Sequence, residues 1–503
     1  MLKINQIFFN IILSLYIFCL NYNLFAFLNA KINDFNLLVS SYIIYFLLIF
    51  IAINIACFFR FFAYIISIIL IISIAFSSYF MHSYNVVIDD DMLINAMATD
   101  KREISDLLSS KMIFYIFLTM VLPLIILSLI RLQKSKIINK LLTILISTIL
   151  LLGALFYSSK SLIPFLRAND SIRYYNAPFY QLYSFYKVLN IKFEKSKPMQ
   201  EICLDAKMND DNLTKTFILV VGETARAKNY SLGGYSKNDT NFYTKQHNVM
   251  YFNNFSSCGT ATAHSLPCMF SIHDRADFEK GENYKNVLSV LNRFIDVYWL
   301  DNNSGGCKGV CSDVKSIIKS EDYDEWLVGE TKKILENKKD KNTLIVLHLQ
   351  GSHGPSYYLR YPKEFKKFSP TCDTNKLQDC SEDALYNTYD NTLLYTDYLI
   401  SLLIEALKND SSDEKALFYL SDHGESLGEN GFYLHGMPYY IAPKEQIHIP
   451  AILWVNNEYI NKNKLDYKLS QDNLFSSLLG YFSITTSSYK DDFDIFSPNL
   501  NKN

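Results

Sequence analysis

The sequence predicts a two-part protein: a membrane domain of five α-helical spans, followed by a large α/β domain built on a mostly parallel central sheet. Three observations carry this reading. Long uncharged apolar runs crowd the chain before residue 160, and short β-rich runs alternate with helical patterns from about residue 210 to the end. Two of those β-rich runs also stop abruptly at acidic residues and a histidine. Buried parallel strands deliver side chains to the carboxyl edge of an open sheet in this way.

The apolar excess is uneven. Half of the 503 residues are hydrophobic, with 36 Phe and 36 Tyr, and only 19% are charged. Residues 4–30, 32–33, 35–59 and 61–88 carry no charge. Runs of about 20 apolar residues suffice to cross a hydrocarbon core of about 30 Å. Spans are read near 6–28, 41–59, 62–80, 112–130 and 141–158. A signal peptide followed by buried core helices is the competing reading. It fits five runs poorly, and the first run is too long for a signal h-region and lacks a convincing small-residue cleavage site.

Basic residues in short loops set the orientation. Arg131, Lys134, Lys136 and Lys140 lie between spans four and five with no acid among them, Arg60 follows span two, and Lys3 lies at the start. These are expected in the cytoplasm, with the N-terminus inside. The loop 81–111 holds Asp89, Asp90, Asp91, Asp100, Glu103 and Asp106 and is expected outside, as is everything after residue 160.

Cysteine usage bears on the same question. Of nine cysteines, Cys19 and Cys57 fall in spans, and Cys203 has no obvious partner. The other six form three close-set pairs, Cys258/Cys268, Cys307/Cys311 and Cys372/Cys380. In an oxidising compartment such pairs read as disulfides. Zinc ligation is the alternative, since Cys307-Lys-Gly-Val-Cys311 resembles half of a zinc knuckle, but the other two spacings do not suit a zinc ribbon.

Three regions follow: the membrane domain over 1–158, a connector over 159–205, and the α/β domain over 206–503. In the connector, Tyr174, Tyr175, Phe179, Tyr180, Tyr183, Phe185 and Tyr186 interleave with Arg173, Lys187, Lys192 and Lys195, which suits a helix at the headgroup level. Strands are expected at 216–221, 296–300, 343–349, 415–420 and 450–455, with helices at 286–294, 325–337 and 383–407.

The chemistry gathers at the strand ends. The run 216–221 leads into Gly222-Glu223-Thr224, and 415–421 into Asp422-His423-Gly424-Glu425. Glu223, Asp422 and His423 are donors without thiolate, which suits a catalytic zinc with one position open for a reacting group. Between them lies Cys258-Gly-Thr260-Ala-Thr262-Ala-His-Ser-Leu-Pro-Cys268. A threonine hydroxyl activated by the metal would serve as nucleophile, and the residues alone leave Thr260 and Thr262 nearly level. His353 follows the strand at 343–349, and His435 lies twelve residues after His423. Either could bind phosphoryl oxygens, ligate a second metal or protonate a leaving group. His348 lies within its apolar strand and reads as a core residue. Ser304 and Lys308 follow the strand at 296–300 and could face the same crevice.

These motifs together resemble one family. Gly222-Glu-Thr-Ala-Arg226, Asn229-Tyr-Ser-Leu-Gly-Gly-Tyr235, Ser257-Cys-Gly-Thr-Ala-Thr262 with Pro267-Cys-Met-Phe270, Asp301-Asn-Asn-Ser304, Gly351-Ser-His-Gly-Pro355 and Ser421-Asp-His-Gly-Glu-Ser426 look like the bacterial phosphoethanolamine transferases. That family modifies lipid A at the inner membrane and includes the mobile colistin-resistance group. The resemblance implies an alkaline-phosphatase-like α/β domain in the periplasm, and zinc held by Glu223, Thr262, Asp422 and His423. It selects Thr262 over Thr260 as nucleophile, and it implies that His353 and His435 handle the phosphoethanolamine group. Asn95, Thr99 and Glu103, with Ser304 and Lys308, match family substrate contacts, although the segment around Lys308 carries an extra residue relative to some members. One zinc is implied firmly, and the sequence leaves a second open.

The implied reaction takes phosphoethanolamine from phosphatidylethanolamine onto Thr262 and then onto an envelope acceptor. Lipid A phosphate, a glycan or a protein hydroxyl would each serve as acceptor, and no nucleic-acid partner is expected. The rival enzyme readings are a phosphoglycerol transferase and a membrane-anchored sulfatase or phosphatase with the same core. A non-catalytic scaffold is a further rival, and the intact ligand set argues against it.

Overall fold

The computed structural model describes residues 2–98, 107–194, 198–209, 211–278, 283–457 and 462–500. The chain forms two compact units. One comprises Met1–Asp90 and Leu108–Lys187, the other Asp91–Leu107 and Val188–Asn503.

Among the described residues of the first unit, four helices are long and apolar enough to cross a membrane: α3 (Phe35–Ala56), α4 (Arg60–Tyr84), α6 (Ser110–Leu129) and α7 (Ile137–Ala168). The span read near 6–28 is broken into α1 (Gln6–Cys19) and α2 (Tyr22–Lys31), bent by 59°. Asn21 sits at the break and accounts for it. Its carboxamide donates to the carbonyls of Ile17 and Ala177 and accepts from the Ala177 amide, so the chain turns where a side chain can satisfy backbone groups. Elsewhere, buried Asn10 donates to Asn54 at 2.9 Å, tying α1 to α3. The fifth span is longer than read: α7 runs 32 residues, ten past the expected end at 158. A helix α8 (Phe179–Glu194) occupies the aromatic-basic connector.

The second unit contains α5 (Asp90–Ala98) apart from its first residue, and a seven-stranded sheet. Its strands in chain order are β1 (Lys215–Gly222), β2 (Met250–Tyr251), β3 (Asp296–Asp301), β4 (Lys315–Ile318), β5 (Thr343–His348), β6 (Glu414–Ser421) and β7 (Ala451–Val455). They lie in the order β2-β7-β6-β1-β5-β3-β4. The five from β6 to β4 are parallel, whereas β7 pairs antiparallel with β6 and with β2. Every residue of β1 is buried, as a strand covered on both faces requires. Trp299, Phe217, Phe418 and Leu344 anchor the core on one face, and the helix α11 (Glu382–Lys408) brings its own buried stripe, including Leu393, Ile400 and Leu407. The helical pattern at 286–294 contracts to Val287–Leu291.

Register sets the site. Gly222 of β1 pairs with Ser421 of β6, Val221 with His348 of β5, and His348 with Asp301 of β3. Continued past the strand ends, that register puts Glu223, Asp422, Gln350 and Asn303 at one level, on four neighbouring strands.

Candidate active site

The three predicted ligands converge. One ligand atom each from Glu223, Asp422 and His423 lies within 4.8 Å of the others, and all three side chains are buried. The His423 Nδ1 faces the Gly424 carbonyl at 2.9 Å, which assigns its proton there and leaves the Nε2 lone pair turned inward. Nε2 is 3.4 Å from Glu223 Oε1 and 3.3 Å from Asp422 Oδ2. Asp422 Oδ1 accepts from the amides of His423 and Thr224, while buried Oδ2 accepts no hydrogen bond. Two buried carboxylates, one of them with an oxygen unoccupied by any donor, and an inward imidazole make a donor set that fits a zinc ion.

The electrostatics agree. Burial opposes ionisation of Glu223, but hydrogen bonding with His423 and its charge hold the carboxyl well below its ordinary range. Burial and the Glu223 charge push Asp422 up, and the two carboxylates overcome burial to push His423 up to about 10. The pocket favours positive charge.

The structure separates the two threonines. Thr262 is the first residue of α9 (Thr262–Met269), and its Oγ1 lies 3.1 Å from Glu223 Oε2 and 3.3 Å from His423 Nε2. Thr260 instead donates its hydroxyl to the Met437 carbonyl at 2.5 Å, and its backbone carbonyl accepts the Gly436 amide, pinning the turn after His435. Disulfides join Cys258 to Cys268, Cys307 to Cys311 and Cys372 to Cys380. The first brackets Thr262 and α9.

His435 and His353 face the ligands. The His435 ring centroid is 4.3 Å from that of His423 and 5.8 Å from that of His353. His435 Nδ1 meets Glu425 Oε2 at 2.8 Å, and Tyr357 donates its hydroxyl to Glu425 Oε1. Burial pushes the Glu425 carboxyl up to about 8 and, with the charges of His423 and His353, draws His435 down to about 3. His348 is buried against Asp301 at 3.2 Å and Trp299, as a core residue.

Ser304 and Lys308 lie on the loop after β3. The Ser304 amide donates to Gln350 Oε1 at 3.0 Å, and Lys308 adopts a left-handed φ of 49° with its Nζ folded beside Gly305. Asn95, on α5, accepts the Ala263 amide at 3.0 Å. Thr99 and Glu103 fall outside the described residues. Two participants carried no role in the sequence reading. Asn303 donates to Glu223 Oε2 at 2.7 Å and to the Leu349 carbonyl at 3.1 Å. Glu425 was visible in Asp-His-Gly-Glu but unassigned. The signal for Asn303 was its place two residues past a strand end, level with Glu223.

Two family models match the chain. One described as phosphoethanolamine transferase EptA/EptB matches residues 44–193, and one described as sulfatase matches 215–484. Phosphoethanolamine transferase EptA of Salmonella typhimurium is 38% identical, over 84% of this chain and 83% of its own. The chain belongs to the phosphoethanolamine transferase family. Among solved structures, this transferase superposes on the integral membrane lipooligosaccharide phosphoethanolamine transferase A of Neisseria meningitidis with a TM-score of 0.92 and 31% identity, over 98% of this chain and 99% of that one. It is also 59% identical to the C-terminal periplasmic domain of phosphoethanolamine transferase EptC from Campylobacter jejuni, over 61% of this chain and 99% of that domain, with a TM-score of 0.59. The transferase is thus an integral membrane protein with an apolar helical N-terminal region and a sulfatase-like α/β unit.

Proposed function

We propose that this chain transfers phosphoethanolamine from phosphatidylethanolamine to a cell-envelope acceptor, lipid A phosphate first among them, through an adduct on Thr262. The observation that carries the reading is the Thr262 hydroxyl at the start of α9, 3.1 Å from Glu223 and 3.3 Å from His423. The relatives named as phosphoethanolamine transferases support the choice of group transferred.

Zinc held by Glu223, Asp422, His423 and Thr262 would supply positive charge that lowers the hydroxyl's pKa and offsets charge on the phosphoryl group. The chain's own residues do the rest. Glu223 Oε2 accepts the Thr262 proton. The Thr262 oxygen bonds to phosphorus, the bond from phosphorus to the diacylglycerol oxygen breaks, and that oxygen takes a proton. Thr262 stands at the N-terminus of α9, whose dipole favours the negative charge that develops there. Glu425 pairs with His435 Nδ1 and holds the ring so that Nε2 can pass a proton to the leaving oxygen and take one from the entering oxygen. His353, Ser304 and Lys308 are assigned to the phosphoethanolamine group, with Thr99 and Glu103 as further contacts carried over from the family. In the second step the acceptor oxygen attacks phosphorus and the bond to Thr262 breaks.

A lipid donor requires an enzyme held at its own surface, and the spans serve that end. The reading places the protein in the bacterial inner membrane with its N-terminus in the cytoplasm. The membrane domain covers 1–158 with a periplasmic loop at 81–111, the bridging segment 159–205, and the periplasmic catalytic domain 206–503.

The test is lipid turnover by the purified full chain with its metal content measured. Diacylglycerol should appear from phosphatidylethanolamine and not from phosphatidylglycerol, with zinc bound. Release from phosphatidylglycerol alone would make it a phosphoglycerol transferase. No release from either lipid by zinc-loaded enzyme would defeat the reading.

A further inference from the structure

The helix that carries the nucleophile starts without a cap of its own. Its N-cap position is Ala261, which makes no side-chain capping bond, and alanine is among the poorest residues there. The first amides of a helix have no intrahelical partner. In α9 the Ser265 amide already reaches the Ala261 carbonyl at 3.0 Å, as the helix repeat allows, but the Ala263 amide cannot. It is met by Asn95 Oδ1 at 3.0 Å, from a residue 168 positions away in the chain. Two further contacts come from the same short helix, α5. Asp91, one turn before Asn95 and on its face, lies 3.7 Å from His264 Nδ1. Met92 lies over Gly436, where an added Cβ would come within 3.2 Å of the Met92 sulfur. One short helix thus touches the two residues after Thr262 and the residue after His435.

We propose that Asn95 is a positioning residue for Thr262, capping the nucleophile helix in trans with its carboxamide oxygen. This differs from the donor-lipid contact that the family resemblance implies for Asn95, because the oxygen is engaged by backbone rather than turned to a ligand. The proposal rests on Thr262 being the nucleophile. A capped first turn holds the Thr262 hydroxyl at its distances from Glu223 and His423. An uncapped one lets the hydroxyl wander, and misplacement of a reacting atom by about 1 Å can cost about 100-fold in rate. In the sequence α5 lies between the spans α4 and α6, so the cap is supplied by a stretch of chain that two membrane helices bracket.

The experiment uses the full chain in detergent micelles with phosphatidylethanolamine as the probe. Adduct formation on the peptide carrying Thr262 is timed in single turnovers, and KM for the donor is measured alongside. Asn95→Ala should slow adduct formation about tenfold at saturating donor while KM stays within about twofold of wild type. Asn95→Asp keeps an acceptor and loses the donor amide, and it should recover most of the rate. Asp91→Ala should act in the same direction as Asn95→Ala and more weakly. A folding defect is separated by hydrogen exchange. The Ala263 amide should exchange faster in Asn95→Ala while the amides of β1 and β6 stay protected.

A raised KM with an unchanged rate in Asn95→Ala overturns the proposal. So does an Asn95→Asp enzyme as slow as Asn95→Ala, since the side chain would then act through its amide hydrogens on the lipid. A wild-type enzyme that turns over without an adduct on Thr262 would instead defeat the nucleophile assignment.

Discussion

Asn303→Ala should weaken zinc binding without unfolding the protein. The Asn303 amide donates to Glu223 Oε2 at 2.7 Å and to the Leu349 carbonyl at 3.1 Å. It is the second donor on that carboxylate oxygen, besides Thr262 at 3.1 Å. A hydrogen bond to a charged group contributes about 1.5–3 kcal/mol, and each 1.4 kcal/mol is about tenfold in an equilibrium constant. Removing it should therefore weaken zinc about 10- to 100-fold, the range typical for loss of a group that orients a metal ligand. The strand that delivers Glu223 is buried along its whole length, so the carboxylate loses its orientation while the backbone stays in place. The assay is competition for zinc between the full chain and a chromophoric chelator, with thermal unfolding recorded in parallel. A folded variant whose zinc affinity lies within about twofold of wild type would refute the reasoning.

Other outcomes follow from the same geometry. Thr262→Ala should abolish adduct formation, whereas Thr260→Ala should retain it and cost about 1 kcal/mol of stability, read from thermal unfolding. Glu425→Ala should lower kcat about tenfold or more with zinc content unchanged, because His435 Nδ1 and the Tyr357 hydroxyl both lose their partner; an unchanged kcat would free His435 from this partner. Replacing Cys258 and Cys268 by serine should cost about 2–4 kcal/mol in denaturant titrations. Asp397 on α11 accepts from Asn241, from the amides of Tyr243 and Thr244 and from the Thr244 hydroxyl, and burial still pushes it up to about 6. Its folded pKa is thus raised above 3.8, so its contribution to stability is full below that pH and is lost as pH rises through about 6. Measured against Asp397→Asn, the wild type should lose up to about 3 kcal/mol of relative stability between pH 4 and pH 7, and a flat difference would contradict the sign.

The central strands were legible because burial on both faces writes a continuous apolar run, as in Phe217–Val221 and Leu344–Leu347, and the abrupt stop marks the edge where ligands stand. Glu223, Asp422 and His423 were readable for that reason. The edges were not. Met250–Tyr251 is too short to carry a pattern, Lys315–Ile318 is exposed and polar at one end, and nothing in 450–455 distinguishes an antiparallel strand from a parallel one. The break in the first span was hidden within an uncharged run, although Asn21 stood within it. Thr260 and Thr262 differ only in what lies opposite them, which no local pattern encodes. Asn303 and Glu425 act through other side chains, so their residue types do not announce a role. The Asn95 cap joins residues 168 apart.

The claim at the centre is a covalent adduct on Thr262. Full-length enzyme incubated with phosphatidylethanolamine, quenched in acid and digested, should yield the peptide containing Thr262 with the added mass of phosphoethanolamine on that residue. The adduct should vanish on addition of acceptor and should be missing from Glu223→Ala. Active enzyme whose Thr262 peptide stays unmodified throughout the time course, or an adduct found on another residue, would contradict the account.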